Sequence, residues 1–147
     1  MGASVLVING PNLNLLGERE PDIYGRETLA DIAAAAKARG AELGLEVEFV
    51  QSNHEGEIID WVHGARGRHQ ALIVNAGAFT HTSIALLDAL SALAIPVVEV
   101  HLSNIYRRED FRHKSYVARV AVGSICGFGS HGYLMALDYL AKTLKTA

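Results

Sequence analysis

The alternation of short Val- and Ile-rich segments with longer helical segments is the feature that most constrains the fold of this chain. Apolar runs predict strands at 3–9, 45–51, 70–75 and 96–101, and a fifth strand within 116–126. Helical patterns fall between or after them, at 28–43, 56–67, 82–93 and 130–145. Strands that alternate with helices form parallel sheets through right-handed crossovers. The sequence therefore predicts an α/β fold: a flavodoxin-like, doubly wound sheet of five parallel strands with helices on both faces.

Local signals support these elements. Three of the strand segments have unbroken apolar cores, which are typical of parallel strands covered on both faces. Thr28, with Asp31 three residues later, predicts a capped start for the first helix, and Gly44 is placed to end it. Because no repeat, linker or low-complexity segment interrupts the pattern, we predict a single domain over residues 1–147.

Composition excludes several functional classes. Of the 147 residues, 50% are hydrophobic and 20% are charged, as in a globular domain. A formal net charge of −3 gives no basic excess for general nucleic-acid binding. The start of the sequence lacks the basic region of a signal peptide, and no apolar run reaches the roughly 18 residues of a membrane span. Since the single Cys126 also fits a reducing compartment, we expect a cytoplasmic protein that binds neither nucleic acid nor membranes.

Polar residues concentrate directly after the predicted strands. Open parallel sheets bind ligands beyond the carboxyl ends of their strands, which directs attention to the segments 9–26, 51–55, 75–82 and 101–113. The first and last of these segments are longer than the roughly 2–6 residues that are usual in αβ units. These loops are therefore the candidates for a functional site.

The first loop reads NGPNLNLLGEREPDIYGRE, with a charged stretch between Gly17 and Gly25. Two glycines around a polar segment predict a lid over about 17–26 that carries Arg19 and Tyr24 and closes over a substrate. The residues alone leave open the alternative of an ordinary surface loop, with Tyr24 packed at its rim.

Ionisable side chains stand at the ends of the third and fourth predicted strands. Glu99 and His101 are two residues apart and share one face of an extended strand. A neighbouring carboxylate favours the protonated imidazole that a general acid needs. His81 precedes a helix that Thr82 or Ser83 starts, where the helix dipole favours a neutral imidazole. A structural ion pair and an ordinary helix cap are the alternative interpretations.

Further motifs carry weaker signals. The loop after the fourth predicted strand contains the segment RREDFRHK, whose basic side chains could bind a carboxylate or hydroxyl groups. The same segment is also typical of an ordinary solvated helical turn. GFGSHG at 127–132 matches a dinucleotide fingerprint, but the chain after it is too short for the strand that this motif requires, so we predict a tight strand-to-helix turn. Ser130 lacks the glycine context of a nucleophile elbow, and Cys126 predicts an inert buried thiol. The seven histidines show no metal-ligand spacing, so we expect no metal site.

Five segments, taken in order, carry a family resemblance over nearly the whole chain: NGPNLNLLGEREPDIYG, SNHEGEIIDWVH, NAGAFTHTSIALLDAL, PVVEVHLSNIYRREDFRHKS and ICGFGSHGY. Together they resemble the type II 3-dehydroquinate dehydratases. The resemblance implies a single catalytic domain that converts 3-dehydroquinate to 3-dehydroshikimate in the shikimate pathway of aromatic amino acid biosynthesis. It also implies anti elimination through an enolate, with no cofactor and no metal.

The resemblance implies catalytic roles residue by residue. Tyr24 matches the base that removes the C2 proton, and Arg19 matches the lid arginine. A nearby cation is needed, because a free tyrosine with a pKa of about 10 is a poor base at neutral pH. His101 matches the general acid that helps the C1 hydroxyl leave as water, and Glu99 matches the residue that orients and charges it. Asn75 matches a residue that stabilises the enolate by hydrogen bonding.

The same matching implies the substrate-binding positions: Asn12 beside the catalytic tyrosine, Leu102 and Ser103 at the substrate carboxylate, His81 and Arg112 at the ring hydroxyls, and Asp88 and Arg108 as a charged pair with an adjacent subunit. It further implies a homododecamer built as a tetramer of trimers. Lys114 and Arg119 depart from the family pattern, and we expect them to affect packing or the surface only.

Two other functional classes compete with this hypothesis. A flavodoxin-like binding or signalling module would take a flavin or a nucleotide. Asn9 and Gly10, however, stand where a receiver domain needs acidic residues, and NGPNLN lacks the hydroxyl-rich phosphate turn of a flavodoxin. An inactive homologue is disfavoured because every proposed catalytic position is filled.

Overall fold

One sheet of five parallel strands forms the centre of the computed structural model, which describes residues 2–18, 22 and 25–145. The strands are β1 (Ala3–Asn9), β2 (Leu45–Gln51), β3 (Ala71–Asn75), β4 (Val97–His101) and β5 (Gly123–Cys126). Their order across the sheet is β2-β1-β3-β4-β5, and every adjacent pair is parallel. The predicted flavodoxin-like sheet is therefore confirmed. The strand order reverses between β1 and β3, which is where a sheet of this kind opens a crevice for ligands.

Four helices whose bounds lie within the described part of the chain cover the sheet: α1 (Leu29–Leu43), α2 (Glu55–Gly64), α3 (Ile84–Ser91) and α4 (His131–Lys145). The predicted cap of α1 is confirmed, since the Asp31 N–H donates to Thr28 Oγ1 at 3.1 Å and the Thr28 N–H donates to Asp31 Oδ2 at 3.0 Å. Gly44 ends α1 with a left-handed φ of 75°. Of the two caps considered for α3, Ser83 is the one used, and its hydroxyl accepts the Leu86 N–H.

The sheet divides the core into two layers. Val5 and Val7 of β1 face the layer that contains the buried sides of α1 and α4, whereas Leu6 and Ile8 face the layer of α2 and α3. Successive strand residues point to opposite faces, so one strand contributes to both layers. Full burial of an aliphatic side chain of this size is worth about 1.5–3 kcal/mol, which makes the two layers the main source of stability.

The fifth strand occupies only the end of the segment predicted for it. Residues Val117–Arg119 form a short 3₁₀ helix instead, and Val117 is buried in the layer of α2 and α3. Pairing with β4 begins at Gly123, opposite Val98. Within the described part of the chain, none of the helices combines the length and apolar character needed to cross a bilayer.

Candidate active site

A cleft opens beyond the carboxyl ends of β1, β3 and β4. Its walls are the turns and short 3₁₀ helices that follow these strands, and the lining residues are Pro11, Asn12, Leu13, Leu16, Asn75, Gly77, Ala78, His81, His101, Leu102, Ser103, Ile105, Arg108 and Arg112. Eight of the predicted site residues are among them: Asn12, Asn75, His81, His101, Leu102, Ser103, Arg108 and Arg112. The structure thus brings together side chains from three separate loops at the edge where the sequence predicts a site.

Glu99 and His101 form a buried pair at the end of β4. The imidazole Nε2 lies 2.6 Å from Glu99 Oε2, and both side chains are almost fully buried. Ser115 donates to the same carboxylate oxygen, while Ser124 donates to the other one. Burial by itself raises the pKa of Glu99, but the hydrogen bond and charge of His101, together with the two serine hydroxyls, hold that pKa below its usual value. The carboxylate is therefore an anion that fixes one nitrogen of the imidazole that lines the cleft.

His81 lies beside this pair, with its ring stacked on that of His101 at a centroid distance of 6.3 Å. Its Nδ1 lies 2.8 Å from the carbonyl oxygen of Lys114, which can only accept, so Nδ1 carries the proton. Burial lowers the pKa of His81, and nearby positive charge from His101 and Arg112 lowers it further. This direction agrees with the predicted neutral imidazole, but the main cause is burial rather than the helix dipole.

Asn75 is held from behind the cleft by buried groups that sequence reasoning missed. Its Nδ2 donates to the hydroxyl of Tyr133 at 2.9 Å, and that hydroxyl donates to Asn9 Oδ1 at 2.6 Å. Asn9 and Tyr133 are fully buried. The sequence identified Asn9 only as part of the first loop and as a position that argues against a receiver domain, and a tyrosine in an amphipathic helix is expected in the core, so neither residue indicated a contact with the site.

The first loop owes its shape to a close approach between the turns after β1 and β3. A Cβ on Gly10 would lie 2.2 Å from the carbonyl oxygen of Ala76, so only glycine fits there. Asn12 adopts a left-handed φ of 70°, which asparagine tolerates better than most residues. Its backbone N–H donates to Asn53 Oδ1 at 2.9 Å, and Gln51 Nε2 donates to the same oxygen. The segment after β2 therefore supports the cleft without lining it.

The two arginines of the cleft share one carboxylate. Arg112 Nε donates to Glu109 Oε1 at 2.9 Å, and Arg108 Nε lies 3.8 Å from the same oxygen. Arg108 Nη1 also donates to Ser103 Oγ at 3.4 Å. The backbone N–H of Glu109 and the guanidinium of Arg112 lower the pKa of Glu109. Glu109, which was not predicted as a site residue, therefore helps to fix two guanidinium groups that line the cleft.

The glycine-rich segment 127–132 is the predicted tight turn between β5 and α4. The N–H of Gly127 donates to the carbonyl of His101, and the N–H of Gly129 donates to the carbonyl of Leu102. Gly127 has a left-handed φ of 96° and packs against Asn104, which favours glycine. The turn therefore supports the loop after β4. Cys126 before it is partly exposed, which corrects the prediction of a buried thiol, and burial raises its pKa.

Four of the predicted site residues are not among those that line the cleft, and one of these is Glu99, which binds His101. Arg19 and Tyr24 lie outside the described residues, and with them half of the predicted lid over about 17–26. Asp88 lies on the exposed side of α3, outside the cleft.

Of the two residues that depart from the family pattern, Lys114 places its ammonium 4.9 Å from the centre of the Tyr116 ring, and Arg119 is exposed. Over residues 2–18, 22 and 25–145, no group of three or more His, Cys, Asp or Glu side chains has the arrangement of a metal site.

Comparison with known proteins agrees with this architecture. The sequence model of the family described as Dehydroquinase class II matches residues 3–141. The chain is 59% identical over 141 residues to 3-dehydroquinate dehydratase 2 of Pseudomonas putida, with 96% of this chain and 95% of that protein covered. It is 56% identical over 145 residues to 3-dehydroquinate dehydratase of Corynebacterium glutamicum, with coverage of 99% and 100%. The crystal structure of type II dehydroquinase from Propionibacterium acnes superposes with a TM-score of 0.93 at 46% identity, over 97% of this chain and 98% of that one.

The fold is that of an α/β protein with a flavodoxin-like sheet and a cleft beyond its strands, and the matches place the chain among the hydro-lyase enzymes. The chain belongs to the class II dehydroquinase family. The resemblance drawn from the five sequence segments is thereby confirmed.

Proposed function

We propose that this chain catalyses the dehydration of 3-dehydroquinate to 3-dehydroshikimate, as a step of the shikimate pathway, through an enolate and without cofactor or metal. The observation that carries the proposal is the buried Glu99–His101 pair at the floor of the cleft, in a chain of this family. A pair of this kind supplies what the elimination of water needs, namely a proton for a poor leaving group.

His101 is the general acid in this proposal. Its Nε2 is bound to Glu99, which leaves Nδ1 as the atom that can give a proton to the C1 hydroxyl. The adjacent carboxylate stabilises the imidazolium until the proton is transferred. One proton leaves C2, one proton joins the hydroxyl, and the C1–O bond breaks to release water, so the reaction is balanced without an oxidant or reductant.

Tyr24 is the base, and Arg19 favours its phenolate. Abstraction of the C2 proton places negative charge on the ketone oxygen, and Asn75 stabilises that charge through its side-chain amide. Asn12 contacts the catalytic tyrosine when the lid over about 17–26 closes. Anti elimination requires Tyr24 and His101 to act from opposite faces of the ring.

The remaining cleft residues bind the substrate rather than take part in the chemical step. The Leu102 N–H and the Ser103 hydroxyl grip the substrate carboxylate, while His81 and Arg112 contact ring hydroxyls. The positive charge of two arginines supports binding of a carboxylate substrate, because Arg108 and Arg112 both line the cleft and Glu109 fixes their positions. Charge-assisted hydrogen bonds of this kind are about twice as strong as neutral ones.

We also propose that the protein is a cytoplasmic homododecamer, a tetramer of trimers in which Asp88 of one subunit approaches Arg108 of the next. The exposed position of Asp88 on α3 supports a role outside its own cleft. Sedimentation of the purified protein as a species of twelve chains is the expected result, and a monomer at micromolar concentration would contradict it.

The experiment that tests the proposed function is the appearance of the conjugated enone of the product. Purified protein, given 3-dehydroquinate in the presence of EDTA, should produce the ultraviolet absorbance of that enone, and prior treatment with borohydride and substrate should leave the rate unchanged. Loss of activity after borohydride would point to an imine mechanism. Absence of the enone altogether would contradict the function.

Tyr24→Phe tests the identity of the base. We expect kcat to fall by about 10²–10⁴, the usual contribution of a general base, with KM nearly unchanged. Arg19→Ala should be similarly damaging and should remove the tyrosine-like limb of the pH–rate profile. Tyr139→Phe, at a partly exposed tyrosine of α4, is the matched control and should keep full activity. Near-normal turnover in Tyr24→Phe would remove this residue from the role of base.

A further inference from the structure

The buried contact between Asn9, Asn75 and Tyr133 links the ends of β1 and β3 to the first turn of α4. None of the three side chains is more than 3% exposed. Gly132 allows α4 to pack closely against the sheet here, since a Cβ on it would lie 3.2 Å from Val100 Cγ1. The Tyr133 ring then packs against Phe49 at a centroid distance of 5.8 Å, so its hydroxyl is held at a fixed place beneath the cleft.

The hydrogen bonds of this group run in one direction only. Asn9 Nδ2 donates to the carbonyl of Val50 at 3.0 Å, so Asn9 Oδ1 is the atom that faces Tyr133. The single hydrogen of the Tyr133 hydroxyl is used in donating to that oxygen. The hydroxyl can therefore only accept from Asn75, which must turn its NH₂ group, rather than its carbonyl oxygen, toward it.

The opposite side of the Asn75 amide is fixed as well, because its Oδ1 accepts the N–H of Gly77 at 3.3 Å. An NH₂ group has two hydrogens, and Tyr133 takes one of them. Within the described part of the chain the second hydrogen has no partner, and Asn75 lines the cleft. Burial raises the pKa of Tyr133 well above its ordinary value, so the hydroxyl keeps its hydrogen and the direction of the hydrogen bonds does not change with pH.

We propose that Tyr133 is a positioning residue for the dehydration: its buried hydroxyl, anchored on Asn9, holds the Asn75 amide so that an N–H faces the enolate oxygen. The inference rests on the proposed function. An amide turned the other way would present a carbonyl oxygen to a developing negative charge and would oppose the reaction. Donors that are oriented before the reaction stabilise such charge because they need no reorganisation when it appears.

Tyr133→Phe tests the proposal, since it removes the hydroxyl and keeps the ring. We expect kcat for 3-dehydroquinate to fall about 10- to 100-fold while KM changes less than about threefold, because the lost interaction acts on the transition state. Tyr139→Phe on the same helix is the matched control. If Tyr133→Phe does not fold, Asn9→Ala frees the same hydroxyl to rotate and should lower kcat in the same selective way. A kcat within twofold of wild type in a folded variant overturns the proposal.

A readout that needs no turnover separates this inference from the proposed function. The Asn75 side-chain amide gives two ¹H–¹⁵N cross-peaks, which can be identified from their loss in Asn75→Asp. In the wild-type protein, one of these two hydrogens should exchange with solvent much more slowly than the other. In Tyr133→Phe that difference should disappear. Fast exchange of both hydrogens in the wild type would overturn the positioning role whatever the variants do. Absence of the enone with one slowly exchanging hydrogen would contradict the proposed function, and with it a role in dehydration, but not the orientation of the Asn75 amide by Tyr133.

Discussion

Two histidine–carboxylate pairs stand toward opposite ends of the same sheet, and only one of them includes a residue that lines the cleft. His101 and Glu99 lie at the carboxyl end with 2.6 Å between Nε2 and Oε2. His69 and Glu48 lie toward the amino end of β1 and β3 with 3.1 Å between the same atoms. The two imidazoles are equally buried, with 6% of each side chain exposed. Burial of the histidine therefore does not distinguish the pairs.

The carboxylates distinguish them. The Glu99 side chain is 2% exposed and receives two serine hydroxyls, whereas the Glu48 side chain is 48% exposed. Water screens an exposed carboxylate, so such a pair contributes about 0–1 kcal/mol, while breaking a buried pair costs about 3–5 kcal/mol. The second nitrogens also differ, because His69 Nδ1 is bound to Ser4 Oγ at 2.7 Å. In the described part of the chain, the hydrogen bond of His101 uses Nε2 only, so Nδ1 is available to a ligand of the cleft.

The largest effect should come from Glu99→Gln, which removes the buried charge. The new NH₂ group would replace one of the two oxygens, so its hydrogens would meet either His101 and Ser115, which donate to Oε2 in the wild type, or Ser124, which donates to Oε1. We expect kcat for 3-dehydroquinate to fall by at least about 10² and the free energy of unfolding to fall by about 3–5 kcal/mol. Glu48→Gln is the matched control and should change neither quantity by much. Comparable losses in the two variants, measured by steady-state kinetics and urea unfolding, would remove the distinction between the pairs.

The difference in how the two pairs are built also explains what could be predicted from the sequence. Glu99 and His101 lie two apart on one strand, so the period of the strand alone brought them together at the correct edge. Glu48, His69 and Ser4 come from three separate segments, and only the register of β1 against its neighbours makes them contacts. No local pattern carries that information.

The same limit applies inside the active site. The loops after β1, β3 and β4 were predictable because parallel strands bring their carboxyl ends together. The contacts of Ser115 and Ser124 were not predictable, because Ser124 lies in the fifth strand, whose start the apolar pattern left open, and Ser115 lies just before the segment predicted for that strand. Tyr133 was missed for another reason: helical periodicity predicts that it is buried, but not that its hydroxyl ends beneath two asparagines. Supporting contacts depend on packing between distant elements.

The buried carboxylate of Glu99 should affect how steeply the free energy of unfolding falls as the pH is lowered. The pKa of Glu99 is lower in the folded chain than its ordinary value of 4.5. Its contribution to stability is therefore complete above about pH 4.5 and is lost as the pH falls through the lower, folded value. One such group contributes up to about 1.4 kcal/mol of unfolding free energy per pH unit. Urea unfolding between about pH 5 and pH 3 should give a shallower decline for Glu99→Gln than for Glu48→Gln, and parallel curves would contradict the shift.

Substitution of either serine should have a smaller effect than Glu99→Gln, because each substitution removes one hydrogen-bond donor and leaves the negative charge of Glu99 in place. Ser115→Ala and Ser124→Ala should each lower kcat about threefold to tenfold, and the double variant should lose less than the product because both act on one carboxylate. Ser91→Ala, at an exposed serine that donates to its own helix, is the control. If the double variant were as active as Ser91→Ala, the two serine hydroxyls would have no part in the function of the Glu99–His101 pair, and the burial of Glu99 alone would distinguish this pair from His69–Glu48.

The smallest effect should come from His69→Gln at the amino end. Glutamine can still hydrogen-bond to Ser4 or Glu48, and the half-exposed carboxylate is solvated when the pair is broken. We expect an unfolding free energy lower by about 1 kcal/mol and a kcat within about twofold of wild type, from urea unfolding and the enone assay. His101→Gln is the matched variant at the other end and should lose activity by at least about 10², since glutamine has no proton to give at neutral pH. A tenfold loss of kcat in His69→Gln would mean that the amino end of the sheet is coupled to the cleft, because no direct contact with substrate is open to His69 from there.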